Sequence, residues 1–306
     1  MTYDVIIIGG SFAGLSAAMQ LGRARRRVLL IDGGLPRNRF ADASHGFLGQ
    51  DGKAPAEIVR EASRQVMAYP TVEIVHRQAV AVTQQAASFE VSYGGGGIAQ
   101  GHRLILATGV VDHLPDIDGL KERWGATVLH CPYCHGYEMR DRPLGVLANH
   151  PMSAHQAAML PDWGPTTLYT QGRFEPDAEG LALLERRGVT IERHPIVAVL
   201  GTAPALEAVR LADGRVVTAH ALFVAPRTSL ASPFAEQLGC DLDQGMLGPV
   251  IRVDDFKATT VPGVYAAGDA ARAMHNATFA SADGVMAGVS AHQSLTRELP
   301  SVRAAA

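Results

Sequence analysis

The chain has 306 residues, 47% of them hydrophobic and 19% charged, with a formal net charge of −3. That length holds two domains with full cores, and the composition is that of an ordinary soluble globular protein. Nothing in the charge argues for nucleic acid or an anionic membrane, and no apolar run reaches the roughly 20 residues that span a bilayer.

The chain moves from Asp4 straight into a buried-strand pattern, so no signal peptide is expected and a cytoplasmic, reducing setting is. Three cysteines in such a setting point to reactive or metal-bound thiols rather than a disulfide framework. The opening "YDVIIIGGSFAGLSAAMQLGRARRRVLLIDGG" reads as strand, Gly-rich turn, helix, strand. Val5 to Ile8 is a continuous apolar run, as in a strand covered on both faces. Leu15, Ala18, Met19 and Leu21 fall at helical spacing, and Val28 to Ile31 forms a second strand ending in Asp32. Arg23, Arg25, Arg26 and Arg27 follow the helix, where they suit the negative end of its dipole.

The turn holds Gly9, Gly10 and Gly14, with Ser11 where the G-x-G-x-x-G fingerprint has its second glycine. A strand before it, a helix after it and an acid about 20 residues on make a dinucleotide site the expected use. Short alternating segments follow from Thr71 to Tyr93, then a "GGGG" turn at 94 to 97. "RLILATG" at 103 to 109 is another buried strand, and a linker with Pro115 and Gly119 marks a domain boundary.

The second half repeats the theme: strand Leu144 to Ala148, loop, short helix, strand Thr167 to Tyr169. Its turn, "ANHPMSA", has no glycine and includes a proline, so a second nucleotide fingerprint is missing, and only Arg173 offers a cation for a phosphate. Near the end, "VPGVYAAGDAARAMHNATFASADGVMAGVSAHQSL" reads as strand, turn and a long small-residue helix. Asp269 ends that strand, either to bind a polyol chain or to cap a turn. Between these halves stands "CPYCHGYE", a C-x-x-C-H motif open to c-type haem attachment, zinc ligation or a reversible disulfide.

In this order the pieces resemble the low-molecular-weight thioredoxin reductase family of flavoproteins over nearly the whole chain. "GGSFAG", "ATG" at 107 to 109, C-x-x-C and "GVYAAGD" carry the likeness. The longer strings "LPRNRFADASHGFLGQDG", "ATGVVDHLPDIDG" and "CPYCHGYE" resemble the small-molecule dithiol oxidases of the gliotoxin and holomycin type. The resemblance implies an α/β chain of two Rossmann-like three-layer dinucleotide-binding domains, the second inserted in the first. A split FAD-binding domain would cover 1–113 and 231–306. The insert, 114–230, would be NAD(P)-domain-like, with the redox C-x-x-C present and the nucleotide fingerprint lost.

The resemblance also implies FAD, a homodimer and a set of cofactor residues. Gly9, Ser11, Ala13 and Gly14 would hold the pyrophosphate and Asp32 the adenosine ribose. Thr108 and Gly109 would lie against the cofactor, with Gly268 and Asp269 at the ribityl chain. Asn276 and Ala277 would open the last helix beside the flavin ring, and Arg37, Asn38 and His45 match the subgroup strings, as cofactor or loop residues. Haem attachment normally follows export, and structural zinc needs four ligands where no second C-x-x-C or H-x-x-x-H pair exists. Cys240, the third cysteine, is read as a buried or loop thiol. The motif is therefore expected to be a flavin-linked redox disulfide without metal, its thiol activated by a following helix.

By the same resemblance Cys134 is the flavin-side thiol and Cys131 the interchange thiol. His135 stands where many thioredoxin reductases carry an acid, and is read as the base that takes the substrate proton. Glu138 is read as a helix-face acid outside the mechanism, and Phe47, Tyr133, Tyr137 and Phe279 as aromatic-wall candidates or core. The expected reaction oxidises a small-molecule dithiol through Cys131 and Cys134, with O2 as acceptor and peroxide as product. The rivals are a thioredoxin reductase-like disulfide reductase, fed by NADPH or ferredoxin and working on a thioredoxin-like partner, and a non-catalytic flavin redox sensor or binding protein.

Overall fold

The structure, a computed structural model, describes residues 2–298. Of the expected split domain, residue 1 and residues 299–306 lie outside the described residues. The chain divides into two compact units. One comprises Met1–Arg39, Ala56–Val111 and Thr228–Ala306, and the other Phe40–Pro55 and Asp112–Arg227.

The first unit is built on β1 (Thr2–Ile8), β2 (Val28–Ile31), β3 (Val72–Val75), β4 (Ala79–Gln84), β5 (Phe89–Tyr93), β6 (Gly97–Leu106) and β19 (Val264–Ala266). Their order is β3-β2-β1-β6-β5-β4, with β19 also on β6. β1, β2, β3 and β19 run parallel to their neighbours, while β4 and β5 are antiparallel. Gly94, Gly95 and Gly96 form the hairpin turn between β5 and β6, where the sequence puts a turn, and Gly97 opens β6 opposite Tyr93.

Period-two alternation sends the apolar runs to both faces of this sheet. Val5, Ile7, Leu30 and Ile105 pack against α1 (Phe12–Arg23) and α7 (Ala277–Leu295). Ile6, Ile8, Leu29, Ile31 and Leu106 pack on the other side against Phe89, Val91 and Phe234, the last on α6 (Phe234–Gln237). α1 and α7 approach closely because Gly284 and Gly288, one turn apart on α7, meet the backbone of Ala13 and Ala17 on α1. Small residues on one stripe of each helix thus fix the height of the turn that opens α1.

The second unit holds β8 (Val128–Leu129), α3 (Pro132–His135), β9 (Leu144–Leu147), α4 (Ser153–Met159), β10 (Thr166–Tyr169), α5 (Ala178–Arg186), β11 (Thr190–Glu192) and β15 (Ala221–Phe223). Its sheet is parallel throughout, ordered β11-β10-β9-β15-β8. Leu144, Val146, Leu168 and Phe223 face α4 and α5, and Leu147, Tyr169 and Leu222 face the antiparallel ladder of β12 (Ile196–Leu200), β13 (Ala208–Leu211) and β14 (Val216–Thr218). These are the two Rossmann-like α/β layers the sequence pattern implies.

The segment Phe40–Pro55 belongs with the second unit although it precedes most of the first in the chain. Phe40 covers Gly125, which leaves no room there for a Cβ, and His45 pairs with Glu138. Among the described residues no helix is long and apolar enough to cross a membrane.

Replacing Gly284 with Val would drive a branched side chain into the Ala13 backbone. Overpacking of this kind costs about 1–3 kcal/mol. Thermal unfolding should show a melting temperature lower by several degrees than the unaltered protein; an unchanged melting temperature would contradict the close helix approach.

Candidate redox site

In the first unit the loops after β1, β2, β6 and β19 converge with the start of α1. Gly9 has φ of +109°, and its missing side chain admits the carbonyl of Ala107 between β6 and Thr108. Gly14 sits over the carbonyl of Gly9, with no room for a Cβ between them. Ser11 is the N-cap of α1, yet its side chain makes no capping hydrogen bond. Asp32 follows β2 and accepts hydrogen bonds on one carboxylate oxygen from the backbone N–H of Gly10 (3.2 Å) and of Gly34 (3.1 Å). It therefore braces the glycine turn as well as standing where a ribose would lie.

Arg37 and Asn38 are half-buried in a short 3-10 turn, Arg37–Phe40. Arg37 donates to Asp269 at 2.8 Å, a pairing the separate motifs did not reveal. Gly268, at φ +74°, brings its backbone beside Ala13. Gly109 is also in the left-handed region, and its carbonyl accepts from Ala231. Asn276 caps α7 by accepting from the Thr278 N–H at 2.8 Å, and Ala277 is the first helical residue. Close behind, buried Asp283 is bound by Lys257 and Arg272, both at 2.8 Å, which anchors the loop before α7. A glycine turn at a helix start, an acid at the next strand and the positive end of a 19-residue helix together fit a dinucleotide cofactor.

The thiols lie in the second unit. Cys131 is the N-cap of α3, Pro132 opens it, and the helix is only one turn long before the chain continues in turns to Asp141. The sequence pattern suggests a helix whose dipole activates a thiol; a single turn carries little dipole, so activation falls to neighbouring side chains. Cys134 Sγ lies 2.6 Å from Cys131 Sγ. The contact with Cys131, then burial, raises the Cys134 pKa, so Cys134 is held toward its thiol form. Burial pushes His135 below its ordinary value, opposed by the Glu138 carboxylate and assisted by positive charge on His45. A neutral imidazole therefore stands next to Cys134 at neutral pH, able to accept a proton.

The sequence placed His45 among cofactor candidates and left Glu138 out. In the structure His45 Nε2 is 3.6 Å from Glu138 Oε1, in the same unit as the thiols. Tyr133 and Tyr137 are exposed on either side of Cys134, Tyr133 edge-on to Trp163 with ring centroids 5.7 Å apart. Trp163 also seals Gly136, a role no local pattern signalled. Phe279 is partly exposed under the Arg272 guanidinium, and Phe47 is half-buried. Cys240 is buried far along the chain in the first unit and hydrogen-bonded to Thr259.

At the carboxyl edge of the second sheet a cleft of about 340 Å³ is lined by Ile117, Leu147, Asn149, Gln171, Arg173 and Phe174, with Asp116 beside them. The turn from β9 into α4 reaches its N-cap at Met152, which offers no side-chain hydrogen bond.

The profile of the pyridine nucleotide-disulphide oxidoreductases matches residues 3–155 and 173–284. The chain belongs to that family. Thioredoxin reductase tcpT of Claviceps purpurea is 34% identical over 312 residues, spanning 97% of this chain and 95% of the relative. Thioredoxin reductase sirT of Leptosphaeria maculans is 31% identical over 306 residues, spanning 94% and 92%. Among solved structures, an oxidoreductase from Agrobacterium tumefaciens matches with a TM-score of 0.93 at 50% identity, over 98% of this chain and 100% of that one. HlmI matches with a TM-score of 0.91 at 34% identity, over 97% and 93%. As a pyridine nucleotide-disulphide oxidoreductase of thioredoxin reductase-like fold, the protein is a redox enzyme.

Because the Cys131 contact and burial raise the Cys134 pKa, reduced protein titrated with iodoacetamide at neutral pH should be alkylated at Cys131 first. Cys240, whose thiol burial pushes up, should react last. Peptide mass mapping that finds Cys134 modified first would overturn this order.

Proposed function

We propose that the protein is an FAD-dependent dithiol oxidase that closes a disulfide in a small molecule and uses O2 as acceptor. The observation that carries this reading is a redox thiol pair in a unit whose turn from β9 into α4, Asn149 to Met152, has no glycine and already spends the Asn149 and Met152 N–H groups on Ser153 Oγ (3.4 Å) and His150 Nδ1 (3.1 Å). Such a turn gives a pyrophosphate no close backbone approach, which favours an acceptor other than a pyridine nucleotide.

The chain's own residues supply the sulfur chemistry. With Cys131 and Cys134 joined, a substrate thiol gives its proton to His135 and attacks Cys131 Sγ; the Cys131–Cys134 bond breaks and Cys134 leaves as thiolate. The second substrate thiol then attacks the substrate sulfur bound to Cys131; that bond breaks, the departing Cys131 sulfur takes the second thiol's proton, and the substrate disulfide closes. FAD, held by the glycine turn, Asp32 and Asp269, would supply the two-electron acceptor that restores the cysteine disulfide and the route to O2. The net change is one dithiol and one O2 to one cyclic disulfide and one H2O2. Exposed Tyr133 and Tyr137 would give an apolar substrate its first contacts.

The reading includes a homodimer in the cytoplasm. Phe279, Val285 and Met286 leave apolar side chains exposed along α7, a surface suited to a second copy. Three cysteines with no structural disulfide framework among the described residues, one of them, Cys240, buried, suit a reducing compartment.

A second reading, an NADPH-fed disulfide reductase, is favoured by the cleft that Arg173 lines and by relatives named thioredoxin reductases. Anaerobic reduction separates the two. The flavin absorbance band should bleach with dithiothreitol and stay with NADPH, and admission of air should restore it with one peroxide per flavin. Rapid bleaching by NADPH would overturn the oxidase reading.

A further inference from the structure

The loop Phe40–Pro55 presents a histidine to the thiol turn, and neither is held there by chance contacts. Ser44 and Lys53 close the loop as an antiparallel bridge, with the Ser44 N–H on the Lys53 carbonyl at 2.8 Å and the Gly52 N–H on the Ser44 carbonyl at 2.9 Å. Inside it, Asp51 accepts from the Gly46 N–H at 2.8 Å, and the same oxygen lies 3.7 Å from His45 Nδ1. The other ring nitrogen of His45 lies 3.6 Å from Glu138. His45 is thus bracketed by two carboxylates, one on its own loop and one on the thiol turn.

Glu138 stands three residues beyond His135. Backbone bonds from Gly136 to Pro132 and from Met139 to His135 and Gly136 keep the chain in tight turns there. The Met139 N–H bond to the His135 carbonyl folds a single turn between His135 and Glu138, which keeps the Glu138 carboxylate within electrostatic reach of the His135 ring. Glu138 thus pairs with His45 across the loop and acts on His135 through its charge.

We propose that Glu138 and His45 are a pair of positioning residues that together govern when His135 carries a proton, and through it when the thiol pair accepts a substrate. The inference rests on the reading of His135 as the base for dithiol attack. Glu138 favours the charged imidazole at His135 and His45, when protonated, disfavours it, so the two act with opposite sign. The charged groups acting on His135 are Glu138 on its own turn and His45 on the facing loop; those on His45 are Glu138 and Asp51. His45 is one-quarter exposed and Glu138 somewhat more, so each effect is moderated by solvent without being erased. The proton in question moves from the substrate thiol to the His135 ring as the new sulfur–sulfur bond forms at Cys131, and no further reactant is required.

Histidine ring resonances, with His135 assigned by its loss in His135→Gln, should be followed from acid to alkaline pH in the wild-type protein, in Glu138→Gln and in His45→Gln. The His135 midpoint should fall by about half a unit to one unit in E138Q and rise by about the same in H45Q. The acid limb of dithiothreitol-driven flavin reduction should move in the same opposite directions. Midpoints that stay fixed, or that move together, would overturn the pair, since a merely structural role changes both variants alike. Should H45Q fail to fold, His45→Asn replaces it, and E138Q alone still reads one sign. Wild-type flavin left oxidised by dithiothreitol would sink the dithiol reading by itself, while the ring midpoints would still decide the pair.

Discussion

Two cysteine sulfurs 2.6 Å apart on one helical turn are placed to join and part as a disulfide, and the rest of the second unit holds them there. Cys131 caps the turn, Pro132 fixes its first residue, and Trp163 closes on Gly136 behind it. The two thiols are unequal: Cys134, whose pKa is raised by its contact with Cys131 and by burial, is the poorer nucleophile. His135 follows it in the chain, with burial pushing its ring below the ordinary value.

The two units meet different demands with the same sheet. In the first, three glycines and the small residues of α1 and α7 bring backbone to backbone, which is what a cofactor phosphate needs. In the second, the matching turn carries Pro151 and Met152 where the first has glycines, and its Met152 N–H is taken by His150 Nδ1. Arg173 lines the cleft at the sheet's carboxyl edge.

Much of this was legible in the sequence because it depends on short-range pattern. Continuous apolar runs such as Val5 to Ile8 and Leu144 to Leu147 are buried on both faces, and the glycine turn after β1 sits where its spacing indicates. What escaped the sequence joins residues far apart in the chain. His45 to Glu138 and Arg37 to Asp269 are pairings of charged side chains that carry no periodic signal, and Gly136 reads as a turn residue until Trp163 is seen against it. The single-turn length of α3 also escaped, since "CPYCHGYE" has nothing after His135 that ends a helix except Gly136.

The central claim is that both electrons of the substrate pass through Cys131 and Cys134. Steady-state turnover of a small dithiol in air tests it most directly, with disulfide and peroxide both quantified for the wild-type protein, Cys131→Ser and Cys134→Ser. The account predicts one peroxide per disulfide in the wild type and a loss of at least ~100-fold in each serine variant, with flavin content unchanged. Serine variants that keep the wild-type rate would mean that the dithiol is oxidised without the cysteine pair.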